Sequence, residues 1–406
     1  AGEAAATSSL YGPWGWDYAG GHALLRGAGG TVVDQDGREV TYRPDGDSRS
    51  VNAFGGAADV ARELALRPWS AIDGHGKGPR PASLERGRAI ADPALLCRAQ
   101  GCLMGQAAGD SLGALVEFRS ARDIAAAGGG PRRLEDGGHW NLLAGQPTDD
   151  TEMALSLARS IAEAGAYDPQ AALRAYQAWG ASPPFDMGMA TAAALRGAPD
   201  PGSQANGSLM RVSPLGIFAH ALPVEAAVAA ARADSAVTHP HRVCGDSVAA
   251  FVVALSHAIR TGTGPDAAYE AALAWARAEA DPAVADALVL ASKAAPRCDE
   301  ESTGWVLIAL QNAFHELLHA TSLEEGVVAT VRRGGDTDTN AAIAGALLGA
   351  VHGRDAVPLQ WRQMVLSCRP VAAPAARPRP LPYWPADVYE LAERLLVAGN
   401  EAGARS

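Results

Sequence analysis

Residues Gly334-Gly335-Asp336-Thr337-Asp338-Thr339-Asn340 run directly into a helix-forming stretch of small residues, Ala341 to Gly349. Few folds accommodate that combination. The paired glycines let the backbone turn tightly. Gly345 and Gly349 then fall at i, i+4 spacing on one helix face, where a neighbouring backbone can come close. Gly101, Gly105, Gly109 and Gly113 repeat at the same four-residue step in another predicted helix and permit close packing there too. The two carboxylates and two hydroxyls at the helix start have two readings. Asp and Thr cap helices, and clustered hard oxygens in a fixed frame hold divalent cations.

A second stretch of the same kind bears on that choice. Pro147-Thr148-Asp149-Asp150-Thr151-Glu152-Met153 again opens an apolar helix with paired carboxylates flanked by Thr. As caps, Thr148 or Asp149 would sit at the N-cap and Glu152 would close a capping box. As ligands, the adjacent like charges would be neutralised by a divalent ion instead of raising one another's pKa. Both accounts can hold together. Two oxygen-rich helix starts without Cys or His suit Mg²⁺, Ca²⁺ or Mn²⁺, not Zn²⁺.

From 93 to 399 the pattern is helical throughout, Ala-rich with 3.6-residue spacing and broken by Gly and Pro. Helices are predicted over 93–115, 149–164, 169–180, 187–197, 224–233, 243–261, 266–279, 282–293, 302–320, 323–331, 339–352 and 386–397. The expected fold is mainly all-α, a helical bundle with its acidic loops converging at one end, preceded by a small α/β segment. Residues 73–92 read as a Gly/Pro-rich linker, Pro374 to Pro385 as an extended surface segment, and 400–406 as a tail. A formal charge of −11 argues against a general nucleic-acid binder. The chain has no run of about 18 apolar residues, so no membrane span is expected. Five cysteines without a CxxC pair read as reduced thiols in a cytoplasmic protein. The chain opens on Ala1, so it is expected to be trimmed or cut from something longer.

Residues 1–72 differ from the rest. Trp14 to Arg26 reads as a helix or an irregular turn, Thr31-Val32-Val33 as a strand and Asp36-Gly37 as a hairpin turn. Glu39 to Tyr42 reads as the partner strand, Ser50 to Ala53 as another, and Ala57 to Leu66 as a helix. Trp16-Asp17-Tyr18-Ala19-Gly20-Gly21, with Ala28-Gly29-Gly30-Thr31-Val32 and Asp36-Gly37, resembles the C-terminal segment of the inositol monophosphatase superfamily. That resemblance implies Asp17 as a metal-binding position. The other metal motif of that family, Asp-Pro-x-Asp-Gly-Thr/Ser, is absent. One carboxylate does not hold the ions such catalysis needs, so no phosphatase activity is expected. The segment reads as a packing relic, or as one half of a domain whose other half is missing.

Six motifs in order carry a second resemblance. They are Gly105-Gln106-Ala107-Ala108-Gly109-Asp110-Ser111-Leu112-Gly113 with Glu117-Phe118; Thr148-Asp149-Asp150-Thr151; Phe185-Asp186-Met187-Gly188; Asn206-Gly207-Ser208-Leu209-Met210-Arg211 with Pro214; Thr238-His239; and Gly334 to Asn340. Together they resemble the ADP-ribosylglycohydrolase family, which includes dinitrogenase-reductase-activating glycohydrolases and ADP-ribosylarginine hydrolases. The resemblance implies an orthogonal all-α helical bundle with two Mg²⁺ ions, Mn²⁺ being a substitute, at a two-metal spacing of about 4 Å. It implies Thr148, Asp149, Asp150, Asp336, Asp338 and Thr339 as ligands. Met187 stands where the family has Ile, and Ala190-Thr191 replaces a Thr pair. Both departures border the leaving-group side.

The expected chemistry is hydrolysis of the glycosidic bond between ADP-ribose and an acceptor, foremost arginine on an ADP-ribosylated protein, with small-molecule ADP-ribose conjugates as other substrates. Such a bond breaks through an oxocarbenium-like transition state. Glu117, Asp150 and Asp336 are the candidates to take the proton of the attacking water. Asp186 would meet a guanidinium leaving group. Gly188, Asn206, Met210 and His239 complete the expected substrate contacts. Backbone N–H groups of Gly207, Ser208 and the Gly334-Gly335 turn would meet the diphosphate.

Competing readings are specific. Asp110 reads as a cap or buried hydrogen-bonder ahead of a ligand, and Arg211 as the partner of a carboxylate. Trp179, Trp275 and Trp305 read as core. His315-Glu316-Leu317-Leu318-His319 fits the H-E-x-x-H pattern of a zinc peptidase, but only Glu324 or Glu325 follows as a third ligand. A further alternative is a module that binds ADP-ribose or an ADP-ribosyltransferase without turnover.

Overall fold

The structure, a computed structural model, describes residues 6–9, 15–43, 48, 50, 52–67, 90–300, 302–372 and 375–405. It divides into two units, Ala1–Lys77 and Gly78–Ser406.

In the first unit, β1 (Ala6–Ser9), α1 (Gly15–Gly27), β2 (Gly30–Asp34), β3 (Ala53–Ala57) and α2 (Ala58–Ala65) build a three-stranded antiparallel sheet of order β1-β3-β2. Val33 and Phe54 pair across it and pack on Ala61 and Ala65 of α2. The predicted Asp36-Gly37 turn forms, with Gly37 at φ 74°. Its expected partner strand does not. Glu39 to Tyr42 makes one bridge, Val33 to Glu39, on the edge of β2 opposite β3. The strand expected over Ser50 to Ala53 runs instead over β3. The side chain of Asp17 lies outside the described residues, as do residues 68–89, which hold most of the expected linker.

Among the described residues the second unit has helices and isolated bridges and no strand beyond them, the all-α class expected. Its helices are α3 (Pro93–Gly113), α4 (Ala121–Ala126), α5 (Asp149–Ala164), α6 (Pro169–Gly180), α7 (Met189–Leu195) and α8 (Ser213–Phe218). They continue with α9 (Val224–Thr238), α10 (Arg242–Thr261), α11 (Pro265–Glu279), α12 (Pro282–Ala291), α13 (Val306–His319) and α14 (Leu323–Arg332). The last are α15 (Thr337–His352), α16 (Leu359–Ser367) and α17 (Val388–Gly403). Asp-Pro pairs start α3 and α6, the Asp side chain accepting first-turn N–H groups. Three short helices, α4, α8 and α16, lay below what the apolar period shows. One helix, α10, is long and apolar enough to cross a membrane, yet it lies inside this unit and packs on α9 and α11.

The glycine steps seen in the sequence form one seam. Antiparallel α3 and α15 touch along it, backbone to backbone. A Cβ added at Gly101, Gly105, Gly109 or Gly113 would stand 2.3, 2.1, 2.1 or 2.3 Å from the carbonyl oxygens of Gly349, Gly345, Ala341 and Thr337. The seam sets the C-terminal end of α3, and Glu117 just beyond it, beside the acidic start of α15. Thr337 fixes that end by donating to the Gly113 carbonyl at 2.7 Å.

Two expectations fail here, one of them in part. Trp305 is 40% exposed, since α13 starts one residue after it. Trp179 is fully buried as expected, and Trp275 is half-buried. The Pro-rich segment is a surface segment only in part: Ala376, Arg377, Pro378 and Pro380 are exposed, and Ala375, Arg379, Tyr383, Trp384 and Pro385 are buried.

Candidate active site

The two acidic helix starts meet. Thr339 Oγ1, in the first turn of α15, lies 3.4 Å from Asp150 Oδ2 in the first turn of α5, a side-chain contact across 189 residues. Neither acid set is used for capping. Thr148 and Asp336 occupy the N-cap positions of α5 and α15, and neither side chain makes the cap hydrogen bond. Asp110 of α3 does that work for α5, accepting from the Thr148 and Thr151 amides at 3.0 and 3.1 Å and facing the Thr148 hydroxyl at 3.0 Å. Asp110 is therefore a buried hydrogen-bonder. Glu152 closes no capping box and pairs with Arg379. The helix-start carboxylates thus keep their oxygens for something other than the helix.

Above them lies a cleft of about 200 Å³. Glu117, Asp149, Asp186, Gly188, Asn206, Gly207, Met210, His239, Asp336, Asp338 and Thr339 line it, all singled out in the sequence. Thr148 and Asp150 lie beneath it, and the Thr148 hydroxyl is 3.1 Å from Asp150 Oδ2. Carboxylate oxygens of Glu117, Asp186 and Asp338 stand within 4.8 Å of one another. Trp140 donates to Glu117 Oε2 at 2.7 Å, Asn206 to Asp336 Oδ2 at 2.7 Å, and the Gly188 amide to Asp149 Oδ2 at 3.4 Å.

Burial and mutual repulsion act together on these acids. Burial, then the Asp186 charge, pushes the Glu117 carboxyl up to about 8. Asp149, Asp150 and Asp338 are raised well above the carboxylate range, by burial first and then by Asp186, Asp149 and Glu117 respectively. Burial also raises Asp186 and Asp336. Two oxygens, Asp150 Oδ1 and Asp338 Oδ1, are buried without a hydrogen-bond partner. Oxygen-only donors, orphaned carboxylate oxygens and uncompensated negative charge fit hard divalent cations.

The wall opposite is built on Arg211. Fully buried, it donates to Asp234 Oδ2 at 3.1 Å, to the Asp234 carbonyl at 2.8 Å and to the Thr238 hydroxyl at 2.7 Å, and lies over the Tyr176 ring. Arg211 thus pairs with a carboxylate, as read from the sequence. The Thr238 hydroxyl in turn contacts His239 Nδ1 at 2.8 Å. Burial, then Arg211, pushes the His239 imidazole down to about 3, so it faces the cleft neutral. Gly207 packs on that ring, where an added Cβ would come within 2.9 Å of Cε1.

Three predicted contacts do not reach the cleft. The Gly334 and Gly335 amides donate to the Val331 and Arg119 carbonyls. Their left-handed φ of 71° and 76° serves the junction with 118–121, where Phe118 donates to the Gly335 carbonyl. Ser208, expected to offer its backbone N–H, does not line the cleft, and its hydroxyl bonds Ser235. Phe118 and Thr191, both present in the sequence motifs, also line the cleft; sequence reasoning missed Met189, Ala205 and Thr303 in the lining, and Trp140 behind Glu117. An isolated Trp after Gly137-Gly138-His139 carries no signal of that role.

The H-E-x-x-H helix is a structural element. His315 and His319 bond the Ala291 and Ser292 carbonyls at the end of α12, and Glu316 pairs with Arg333 at 2.5 Å. The glutamate is not available to activate water. This overturns the zinc peptidase reading.

Residues 91–404 match the ADP-ribosylglycohydrolase family. The chain is 31% identical over 280 residues to the ADP-ribosyl-[dinitrogen reductase] glycohydrolase of Rhodospirillum rubrum, covering 66% of this chain and 90% of that one. It is 30% identical over 290 residues to the ADP-ribosylarginine hydrolase Tri1 of Pseudomonas putida (strain GB-1), covering 66% and 74%. Among solved structures, a chain of an ADP-ribosylglycohydrolase-related protein complex superimposes with a TM-score of 0.61 at 29% identity, covering 75% of this chain and 98% of that one.

Proposed function

The chain belongs to the ADP-ribosylglycohydrolase family and is a hydrolase, and from that premise we propose that it removes ADP-ribose from arginine on modified proteins with two Mg²⁺ ions in the acidic cleft. The carrying observation is the Thr339–Asp150 contact, which brings both oxygen-rich helix starts to one place. The arginine acceptor is supported by the relative named for it and by Asp186, a carboxylate in the cleft wall able to face a guanidinium.

Thr148, Asp149, Asp150, Asp336, Asp338 and Thr339 are the proposed ligands, with Glu117 and Asp186 near enough to join them. Bound divalent ions supply Lewis acidity toward ribose hydroxyls and water. The chain's residues do the rest. Asn206 holds the Asp336 carboxylate in one orientation through Oδ2. Trp140 takes Glu117 Oε2 and leaves Oε1 to receive a water proton. Of the three candidate bases, Asp150 lies beneath the cleft and Asp336 is engaged by Asn206. Glu117 lines the cleft, and its raised proton affinity suits the task. Asp186 meets the leaving guanidinium, and neutral His239 offers a ring N–H to the substrate.

For residues 1–72 the proposal is a relic of an inositol monophosphatase-type domain, supported by its Trp-Asp and Asp-Gly motifs alone. No hydrolysis of inositol phosphates by this chain is expected.

The test is chromatography of free ADP-ribose released from peptides modified on arginine or serine. The arginine substrate should be consumed with Mg²⁺, and EDTA or Asp336→Ala should reduce the rate about 100-fold or more, as for a positioning element of a metal site. Intact arginine substrate after long incubation with Mg²⁺ overturns the proposal, and preferential cleavage at serine overturns its acceptor.

A further inference from the structure

The C-terminal Pro-rich segment reaches the back of the acidic cleft. Arg379 is 5% exposed and sits between two parts of the site. Its Nε and Nη2 donate to the Glu152 carboxylate at 2.8 Å. Nη2 also donates to the Ser182 hydroxyl at 2.8 Å, and Nη1 to the Ser182 and Pro183 carbonyls at 2.7 and 3.2 Å. A guanidinium has five N–H donors in a rigid fork, and here each has an acceptor. Trp179 adds a bond to Glu152 Oε2 at 2.8 Å, and Trp384 anchors the Arg379 carbonyl at 2.7 Å.

What the fork joins matters for the reaction. Glu152 lies two residues after Asp150, in the first turn of α5. Ser182 and Pro183 open the loop that delivers Asp186, three residues on, to the trio with Glu117 and Asp338. Pro183 and Pro184 have no N–H to donate, so the loop's carbonyls are its points of attachment, and Arg379 takes two in succession. At its far end the loop is tied to α5 again, by the Gly188 amide on Asp149. The neighbouring Arg377 carbonyl accepts from Gln146 at 2.6 Å, just before Thr148. One segment, 196 to 227 residues away in the chain, therefore grips both the acidic start of α5 and the loop facing it.

We propose that Arg379 is a positioning residue for the glycohydrolase reaction, setting the distance between the Asp149–Asp150 helix start and the Asp186 loop and so the spacing of the cation site. This rests on the reading of the cleft as a divalent-cation site. A lysine at 379 keeps the positive charge beside Glu152 and cannot span both elements.

The test compares Arg379→Lys and Ser182→Ala with the control Arg159→Lys in the full chain. Arg159 also sits on α5, paired with Asp387 at 2.8 Å, and does not touch the loop. Three readouts are taken: Mn²⁺ affinity by electron paramagnetic resonance, hydrogen exchange of 185–188 without metal, and kcat and KM on an ADP-ribosylated arginine peptide. Arg379→Lys should bind Mn²⁺ about 10-fold more weakly and lose about 10–100-fold in kcat, the range for outer partners of metal ligands. It should exchange faster at 185–188 while α10 stays protected, with Ser182→Ala showing a smaller shift in the same direction. Arg159→Lys should lower thermal stability and leave all three readouts at wild type. Wild-type Mn²⁺ affinity and loop exchange in Arg379→Lys overturn the proposal. So does an equal loss in Arg159→Lys, which would mark a merely structural role. A wild-type chain that binds Mn²⁺ and leaves the peptide intact refutes the acceptor alone, and the Mn²⁺ and exchange readouts still decide the role of Arg379.

Discussion

Gly105→Ala should separate the helices that place the two acidic clusters. The added Cβ would stand 2.1 Å from the Gly345 carbonyl oxygen and 2.9 Å from its carbon. Carbon–oxygen contacts settle near about 3.3 Å, so the backbones must part locally by roughly 1 Å. The obstacle is main chain, and no rotamer change relieves it. Overpacking of this kind costs about 1–3 kcal/mol, and exchanging Gly for Ala in a helix returns about 1 kcal/mol. The net destabilisation is about 0–2 kcal/mol, up to a few degrees in Tm for a domain of this size. The effect on the site should be larger, because the same seam sets Asp336 and Asp338 against Glu117 and Asp150, and a displacement near 1 Å costs up to about 100-fold in a positioned site. The assay pairs thermal denaturation with Mn²⁺ titration. Gly245→Ala in α10, whose Cβ would meet nothing nearer than Arg232 Cγ at 3.7 Å, is the control for helix propensity. If Gly105→Ala melts at or above wild type and binds Mn²⁺ as tightly, the seam does not determine the site and the argument fails.

Two further outcomes follow from the same geometry. In EDTA the folded chain should lose stability as pH rises from about 4.5 to about 8, because Glu117, raised from 4.5 to about 8, binds its proton more tightly folded than unfolded. Melting curves across that window should slope downward, Mg²⁺ should recover most at the alkaline end, and Glu117→Gln should flatten the slope; a rise in stability with pH would contradict this. The double substitution His315→Ala with His319→Ala should leave metal content and turnover unchanged, since both rings serve the α12 carbonyls; a loss restored by Zn²⁺ would revive the peptidase reading.

The proposed oxygen ligands stood out in the sequence because their chemistry is local, two Asp-Thr clusters each opening a helix. Beyond the convergence of those two clusters, the sequence did not show which distant elements touch. The glycine steps at 101–113 showed that a face can be approached, and only the folded chain shows that Gly345 and Gly349 do the approaching. Gly334 and Gly335 have the turn geometry expected of them, but packing against 118–121 decides where their amides point. Arg379 and Trp140 were invisible for the same reason, and their position explains how so acidic a cleft can persist. Like charges this close drive their carriers apart unless each is held from behind. Asp110 grips the start of α5, Asn206 orients Asp336, Trp140 holds Glu117, and Arg379 ties α5 to the Asp186 loop. None of these supports bonds Asp150 Oδ1 or Asp338 Oδ1, and both oxygens are buried without hydrogen-bond partners. A fold that satisfied those oxygens with its own donors would be more stable without metal and would have nothing left with which to bind one.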